Sequence, residues 1–244
     1  MEFKKYIHRF TRSLGFDFYA LKDRSDSELL RLRWLKEMNI QTVLDIGANE
    51  GQFALLIRKL LPQVAICSFE PIRSCYDKLV KNFNNDKAFK AFNVAVGDQD
   101  AMIEMNINDF SPSSSLLEIN ELHVENFKHT ARTQKQQVQV QTLDGLHSGL
   151  NLTKPYMVKI DTQGYEDKVI KGGQQVLEGA DVIFVELSYR QLYKEQTLFD
   201  DIYNRLVLLG FQYHGNFEEL LSPENGAILQ SDGIFIKGNL VNKK

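Results

Sequence analysis

From Thr42 onward, short apolar runs alternate with longer segments in which apolar residues recur at helical spacing. Val43, Leu44 and Ile46 make a run too short for a helix and bounded by a glycine, which reads as a buried strand over 42–46. The same reading predicts strands at 64–69, 88–93, 156–160, 182–187, about 210–214 and 232–237. Helices are predicted at 52–61, 72–83, 165–178 and about 195–209. The second of these shows the period well, with Ile72, Tyr76, Leu79, Val80 and Phe83 on one face. Strand and helix in alternation imply an α/β, Rossmann-like fold: a mostly parallel sheet with helices on both faces.

Two regions depart from that rhythm. Between Asp98 and Leu143, Ala101–Ile107 and Gln136–Thr142 alternate like half-exposed strands around a polar segment. That segment holds Ser111-Pro-Ser-Ser-Ser115 and a short helical stretch, Glu121 to His129. An insertion of this length in a compact domain usually is functional or disordered; beside the ligand end of the sheet, 98–143 is the expected lid or acceptor-binding element. The other region precedes the first strand. Phe3, Ile7, Phe10 and Leu14 share a helical face ringed by Lys4, Lys5, Arg9 and Arg12. Such a helix docks on its own domain or a partner, or lies on anionic lipid. Ser25-Asp-Ser-Glu28 has the form of a capping box, which would start a helix carrying Leu29, Leu32, Leu35 and Met38. The expected organisation is a helical extension over 1–39 and one α/β domain over 40–244.

At 244 residues the chain is long enough for one sizeable core. Its 29 basic and 32 acidic residues nearly cancel, which argues against nucleic-acid binding by bulk charge, though not by a local patch. Cys67 and Cys75 are the only cysteines and have no paired histidines, so no zinc site of ordinary spacing is formed. No apolar run reaches the ~18 residues of a membrane span, and no continuous apolar segment follows the basic N-terminus. The default compartment is the cytoplasm.

The turn after the first strand bears the chemistry. Gly47-Ala-Asn-Glu-Gly51 leads from strand to helix and presents bare backbone to a ligand. Glu70, at the end of the second strand, is placed to take both hydroxyls of a ribose. The spacing is G-x-x-x-G rather than G-x-G-x-x-G, so the middle glycine that makes room for a pyrophosphate is missing, and Glu50 adds negative charge. No G-x-x-x-x-G-K-[ST] loop exists. S-adenosylmethionine (SAM), which carries ribose and adenine without phosphate, fits this pattern better than a dinucleotide.

A second strand–turn–helix follows at Tyr156-Met-Val-Lys-Ile-Asp-Thr-Gln-Gly-Tyr-Glu166. In open parallel sheets the ligand crevice lies at the carboxyl ends of the strands. Asp161 and Glu186 both end strands there, while Lys159 sits within its strand with a partner to find. Beside a sulfonium the two carboxylates can balance charge, bind a metal or accept a proton. Asp161 stands first as the base and Glu186 second. Among the histidines, His214 precedes His147 and His123, and a surface role is the commoner fate of each.

The ordered series Val43-Leu-Asp-Ile-Gly-Ala-Asn-Glu-Gly51, Phe69-Glu-Pro71, Ala95-Val-Gly-Asp98, a serine-rich loop, Thr142-Leu-Asp144, Lys159-Ile-Asp-Thr-Gln-Gly164, Lys171-Gly-Gly173, Val185-Glu186 and Asp232-Gly-Ile-Phe235 resembles the FkbM family of SAM-dependent methyltransferases. The resemblance covers roughly residues 40–237. It implies a class I methyltransferase fold of seven strands with the last antiparallel, and O-methylation of a sugar, glycan precursor or secondary metabolite. By position it implies that Asp45, Gly47, Asn49 and Gly51 hold the methionine part and Glu70 the ribose. Asn93, Val94 and Asp98 would flank the adenine, and Asp161 would face the methyl. The family often has Glu where this chain has Gln163, so residue 163 is not read as a catalytic acid. A divalent metal and a homodimer formed through the N-terminal helices stay open. Two other classes stand beside this one. An NAD-dependent oxidoreductase is disfavoured by the absent second glycine and by the lack of a Tyr-x-x-x-Lys pair. A non-catalytic SAM-binding module has the same cofactor signature.

Overall fold

The computed structural model describes residues 21–108, 111–130 and 132–241. The basic amphipathic segment 3–14 lies outside them. Helix α1 (Leu21–Leu32) runs through Ser25–Glu28, so that tetrapeptide is helix interior and does not cap a new start. A 3₁₀ turn, Arg33–Lys36, follows and leads to the first strand, with Leu32 and Leu35 buried.

The strands of the main sheet are β1 (Thr42–Ile46), β2 (Ala65–Phe69), β3 (Phe89–Phe92), β7 (Tyr156–Ile160), β8 (Val182–Ser188), β9 (Phe211–Leu221) and β10 (Ile228–Lys237). Their spatial order is β3-β2-β1-β7-β8-β10-β9, and β10 is antiparallel to both of its neighbours. Seven strands with the last antiparallel is the arrangement the resemblance implied. Helices α2 (Gln52–Leu60), α3 (Arg73–Asn82), α6 (Glu166–Gly172), α7 (Gln174–Gly179) and α8 (Phe199–Leu208) provide the crossovers.

The two-residue period of the strands divides the core. Leu44, Ile46, Val158, Ile160, Ile183 and Val185 face one layer, where Val169, Ile170, Val176, Leu177, Ile202 and Leu206 cover them. Val43, Met157, Val182 and Phe184 face the other, against Leu35, Ala54, Ile57, Leu60 and Leu79. Burial on both faces explains why these strands read as continuous apolar runs. Toward the carboxyl ends the second face changes character. Asp45 pairs in register with Lys159, and Asp232 with Glu186, so period-2 alternation places charged residues of four strands on that one face.

The insertion adds β5 (Ala101–Asn108) and β6 (Thr133–Thr142) to β4 (Ala95–Gly97), which precedes it, in a second sheet of order β4-β6-β5. Val138 and Val140 turn inward onto Ile72, Cys75 and Met105, whereas Gln137 and Gln139 stay exposed. The segment beyond β5 carries a 3₁₀ turn at Ser111–Ser113 and helix α4 (Glu121–Asn126), folded back over the strand ends. Both cysteines are free and buried.

Several boundaries differ from the pattern. The helix expected over 165–178 divides at Gly173, beside Gly172, where an added Cβ would lie 1.9 Å from the Gly97 carbonyl oxygen. Strands expected near 210–214 and at 232–237 form a longer hairpin of 11 and 10 residues whose outer strand is mostly exposed. Helix α5 (Leu143–Leu150) was not expected, since Gly145 and Gly149 weaken it. The Thr142 hydroxyl caps it by accepting from the Gly145 N–H at 3.2 Å.

Candidate active site

The turn after β1 is locked from three sides. The N–H groups of Gly47 and Ala48 both donate to the Phe69 carbonyl at 3.0 Å. Gly47 has φ +81°, and a Cβ there would lie 1.8 Å from the Asp161 carbonyl oxygen, so the end of β7 packs directly on bare backbone. Gly51 has φ +94° and makes room for Leu79 and Phe83 of the neighbouring helix. Glu70, 4 % exposed, takes the Asn49 N–H on Oε2 at 2.8 Å and the Ile72 N–H on Oε1 at 2.7 Å. Each oxygen keeps a lone pair for a further donor. Burial pushes its pKa up to about 7, against the two backbone donors.

These groups open on a cavity of about 360 Å³. Gly47, Asn49 and Glu70 line one side, and Ile72, Val94 and Met105 give an apolar wall. Lys159, Asp161 and Asp232 close the far end, and Ser111 and Ser114 of the insertion reach over it.

At that far end, one amide organises the charges. Gln163 Nε2 donates to Asp161 Oδ1 and to Glu186 Oε1, each at 2.9 Å. Its own Oε1 accepts from the Tyr193 hydroxyl at 2.8 Å, and its carbonyl accepts from the Ser115 hydroxyl at 2.6 Å. Gln163 stands at φ +55°, a left-handed conformation that its partners hold in place. Buried Glu166 pins the same turn, taking the N–H of Thr162 at 2.8 Å and of Gly164 at 3.2 Å. Lys159 Nζ donates to Asp161 Oδ2 at 3.0 Å and lies 3.9 Å from Asp45 Oδ1.

Asp161 thus has a donor on each oxygen, whereas Glu186 Oε2 is buried without one. Burial above all, with Asp161, Glu166 and Asp232 nearby, raises the Glu186 pKa well above the ordinary carboxylate range. Burial likewise pushes Asp232 up to about 7 and Asp45 up to about 6, the latter against the pull of Lys159. Burial opposes the charge on Lys159, but Asp161, Asp45 and Asp232 together outweigh it and hold its pKa above the usual range.

Asp161, Gln163 and Asp232 also border a second cavity, of about 510 Å³, to which Glu186 contributes. Helix α4 supplies buried His123 and, just beyond its end, Phe127; the β9–β10 hairpin supplies Glu218 and Glu219. Two adjoining cavities joined at half-buried carboxylates can hold a cofactor and an acceptor, with a proton acceptor between them.

Comparison with known proteins identifies the group to which this arrangement belongs. Residues 45–213 match the methyltransferase FkbM domain. The chain belongs to the FkbM methyltransferase family. Among the relatives, a 2-O-methyltransferase, NoeI, from Sinorhizobium fredii is 27 % identical over 165 residues, 63 % of this chain and 66 % of that protein. Methyltransferase 1 from Beauveria bassiana is 27 % identical over 53 % of this chain and 57 % of its own length. Hexuronic acid methyltransferase AglP from Haloferax volcanii is 26 % identical over 191 residues, 76 % of this chain and 72 % of the relative. The chain thus spans less than two thirds of the length of the first two.

Within the FkbM fold, the residues named from sequence fall into three groups. Gly47, Asn49, Glu70, Val94 and Asp161 line the first cavity. Glu186 lies at the second. Asp45, Gly51, Asn93 and Asp98 are on neither wall. Asp45 is wholly buried beneath Lys159, and Gly51 meets helix α3. Asn93 donates to the carbonyls of Glu70 and Pro71 at 2.8 and 3.0 Å and so fixes the loop that carries Glu70. Asp98 pairs with Lys171 at 2.8 Å. Glu50, which sequence placed beside the ligand, pairs instead with Lys78 at 2.6 Å.

The histidine order reverses. His214 and His147 are exposed, while His123 is 3 % exposed between the rings of Phe127 and Tyr193. Sequence reasoning missed Tyr193, Ser115 and the bridging role of Gln163. Only the Lys-Ile-Asp-Thr-Gln-Gly turn gave a signal, since its partners arrive from distant segments. Among the described residues, no group of three or more His, Cys, Asp or Glu side chains is arranged to hold a metal ion. No helix there is long and apolar enough to cross a membrane.

Proposed function

We propose that this chain is a SAM-dependent O-methyltransferase that methylates a hydroxyl of a sugar or glycan. Family membership supports the reaction class, and the names of two relatives, a 2-O-methyltransferase and a hexuronic acid methyltransferase, support the substrate class. The observation that carries the reading is the junction of the two cavities, where Glu186 keeps one buried oxygen without a donor.

The first cavity fits SAM on its own chemistry. The turn at Gly47 and Asn49, whose N–H groups are already bonded, would take the methionine part through its carbonyl oxygens, the remaining lone pairs of Glu70 the ribose, and the wall of Ile72, Val94 and Met105 the adenine. Its acidic end suits a cation. SAM, when bound, supplies a methyl group already activated by its sulfonium. The protein then has to place the acceptor oxygen and remove its proton. Placement is the larger contribution, with effective molarities of ~10⁵–10⁸ M, and a general base adds ~10²–10⁴-fold.

Glu186 is the base in this proposal. Its free oxygen is the proton acceptor, and its raised pKa makes it a stronger base than an ordinary carboxylate. Asp161 positions, held between Lys159 and Gln163. The insertion, through Ser111–Ser115 and helix α4, is the acceptor-binding element.

The test is calorimetric titration of S-adenosylhomocysteine (SAH) and of NAD, each with and without Mg²⁺, followed by screening of sugar acceptors for SAM-dependent methyl incorporation. SAH binding with no NAD signal, then a methylated sugar, is the expected result. Binding of NAD alone would overturn the proposal.

A further inference from the structure

The second cavity has an unusual charge balance for a site expected to take a sugar. Of its described lining residues, Asp161, Glu186, Glu218, Glu219 and Asp232 are carboxylates, and none is lysine or arginine. A site for a uronate or a phosphorylated sugar needs a cation to pair with the anion, because a carboxylate or phosphate is recognised through charge-assisted donors. The one lysine nearby, Lys159, lines the first cavity and is already engaged by Asp161 and Asp45.

A second observation concerns a single atom. Glu186 Oε2 is buried in the wall of this cavity and has no donor, although Oε1 of the same group is satisfied by Gln163. A buried carboxylate oxygen of this kind calls for a donor from the acceptor, which in the proposed reaction is the hydroxyl to be methylated. His123 and Phe127, from helix α4 and the residue after it, also contribute to the lining. The cavity therefore has an acidic wall for donors and positive charge.

We infer that the acceptor carries a protonated amine beside its hydroxyls, as a free amino sugar does, and that the cavity discriminates against uronates. This rests on the proposed sugar O-methyltransferase reading and narrows its substrate. It also separates this chain from its hexuronic acid methyltransferase relative, whose named substrate is an anion. Glu218 and Glu219 sit on the exposed outer strand of the hairpin, so their share of the attraction is long-range and screened by salt.

The experiment uses the full chain saturated with SAH, a state first verified by calorimetry. Glucosamine, N-acetylglucosamine and glucuronate are titrated by saturation-transfer NMR at low and high ionic strength, into the wild type and into a Glu218→Gln/Glu219→Gln variant. Glucosamine is expected to bind about tenfold more tightly than either other sugar at low salt. The advantage should shrink by roughly threefold in high salt and in the double variant. Equal or weaker binding of glucosamine, including no detectable binding, overturns the inference, as does a preference that neither salt nor the double variant changes. If SAH itself fails to bind, the methyltransferase reading falls instead, so the two failures are distinguishable.

Discussion

Replacing Glu186 by Gln tests the assignment of the base with little change in shape. In the wild type Glu186 Oε1 accepts from Gln163 Nε2 at 2.9 Å, and a glutamine oxygen can accept the same bond. The substitution removes the basicity of the buried, donor-free Oε2. Loss of a general base costs about 10²–10⁴-fold in turnover, or about 2.7–5.5 kcal/mol in the barrier. SAH affinity is expected to stay within about threefold, since Glu186 does not line the first cavity. Asp161→Asn makes the contrast. Asp161 accepts from Lys159 on one oxygen and from Gln163 on the other, and an amide must turn its NH₂ toward one of those donors. Its cost of about 1–3 kcal/mol should therefore appear in stability as well as in rate. The pH profile separates the two further. A base works only when ionised, so wild-type kcat should fall on acidification through the raised pKa of Glu186, at a higher pH than an ordinary glutamate near 4.5. Glu186→Gln should lose that acid limb. The assay is SAH release from an acceptor found by screening. A Glu186→Gln enzyme within about threefold of wild-type turnover that keeps its acid limb would refute the assignment.

Glu70→Ala is expected to weaken SAH binding by about 10- to 150-fold, the equivalent of about 1.5–3 kcal/mol; unchanged calorimetric affinity would remove Glu70 from the site. Gly47→Ala, which sets a Cβ 1.8 Å from the Asp161 carbonyl at φ +81°, should cost about 2–5 kcal/mol of stability in urea unfolding, and a wild-type midpoint would contradict the close packing. Lys159→Met leaves Asp161 and Asp45 without their cation and should destabilise by about 3–5 kcal/mol, whereas a loss below about 1 kcal/mol would mean that the charges are solvated. Asp45, raised to about 6, and Glu70, Glu166 and Asp232, each raised to about 7, keep protons in the folded protein that the unfolded chain has already released. Their contribution to stability is complete below the unfolded values near 4 and is lost as pH rises through 6 to 7, so the melting temperature of the ligand-free protein should fall between about pH 4 and pH 7. Asp98 has the opposite sign, its pKa being lowered chiefly by the bond from Lys171, but its contribution is lost only at pH values below that window. A melting temperature that rises across the window would contradict the burial of these carboxylates.

The sheet was legible because Val43, Leu44, Val158, Ile160, Ile183 and Val185 are buried on both faces of parallel strands and so form unbroken apolar runs. The hairpin of β9 and β10 was read too short, because only Phe211 and Phe217 of the outer strand are buried and an edge strand needs no apolar run. Of the site, the residues at strand ends could be found, since chain order and sheet topology place Gly47, Glu70, Asp161 and Glu186 at one edge. The proposal ranks them differently from the sequence reading, with Glu186 rather than Asp161 as the base. Asp161 and Glu186 look alike in sequence; only the donors from Lys159 and Gln163 distinguish them. Likewise His123 resembles any surface histidine until α4 folds back and sets it against Tyr193, 70 residues away in the chain.

The charge count of the strand-end cluster links these observations. Asp45, Asp161, Glu186 and Asp232 share one face of the sheet with a single lysine. Burying such an excess of carboxylates is unfavourable, and the raised pKa values of Asp45, Glu186 and Asp232 reflect that cost. A fold selected for stability alone would place apolar or paired residues there. The unfavourable charge is retained where ligands enter, and each ligand in the proposed reaction can relieve part of it. A sulfonium cofactor brings a positive charge to the first cavity, and an amine-bearing acceptor brings another to the second. Binding either one should favour the ionised form of the carboxylates, which is the form Glu186 needs in order to accept a proton. The same electrostatics that destabilise the ligand-free protein near neutral pH would then favour cofactor binding and bring the base to its working state.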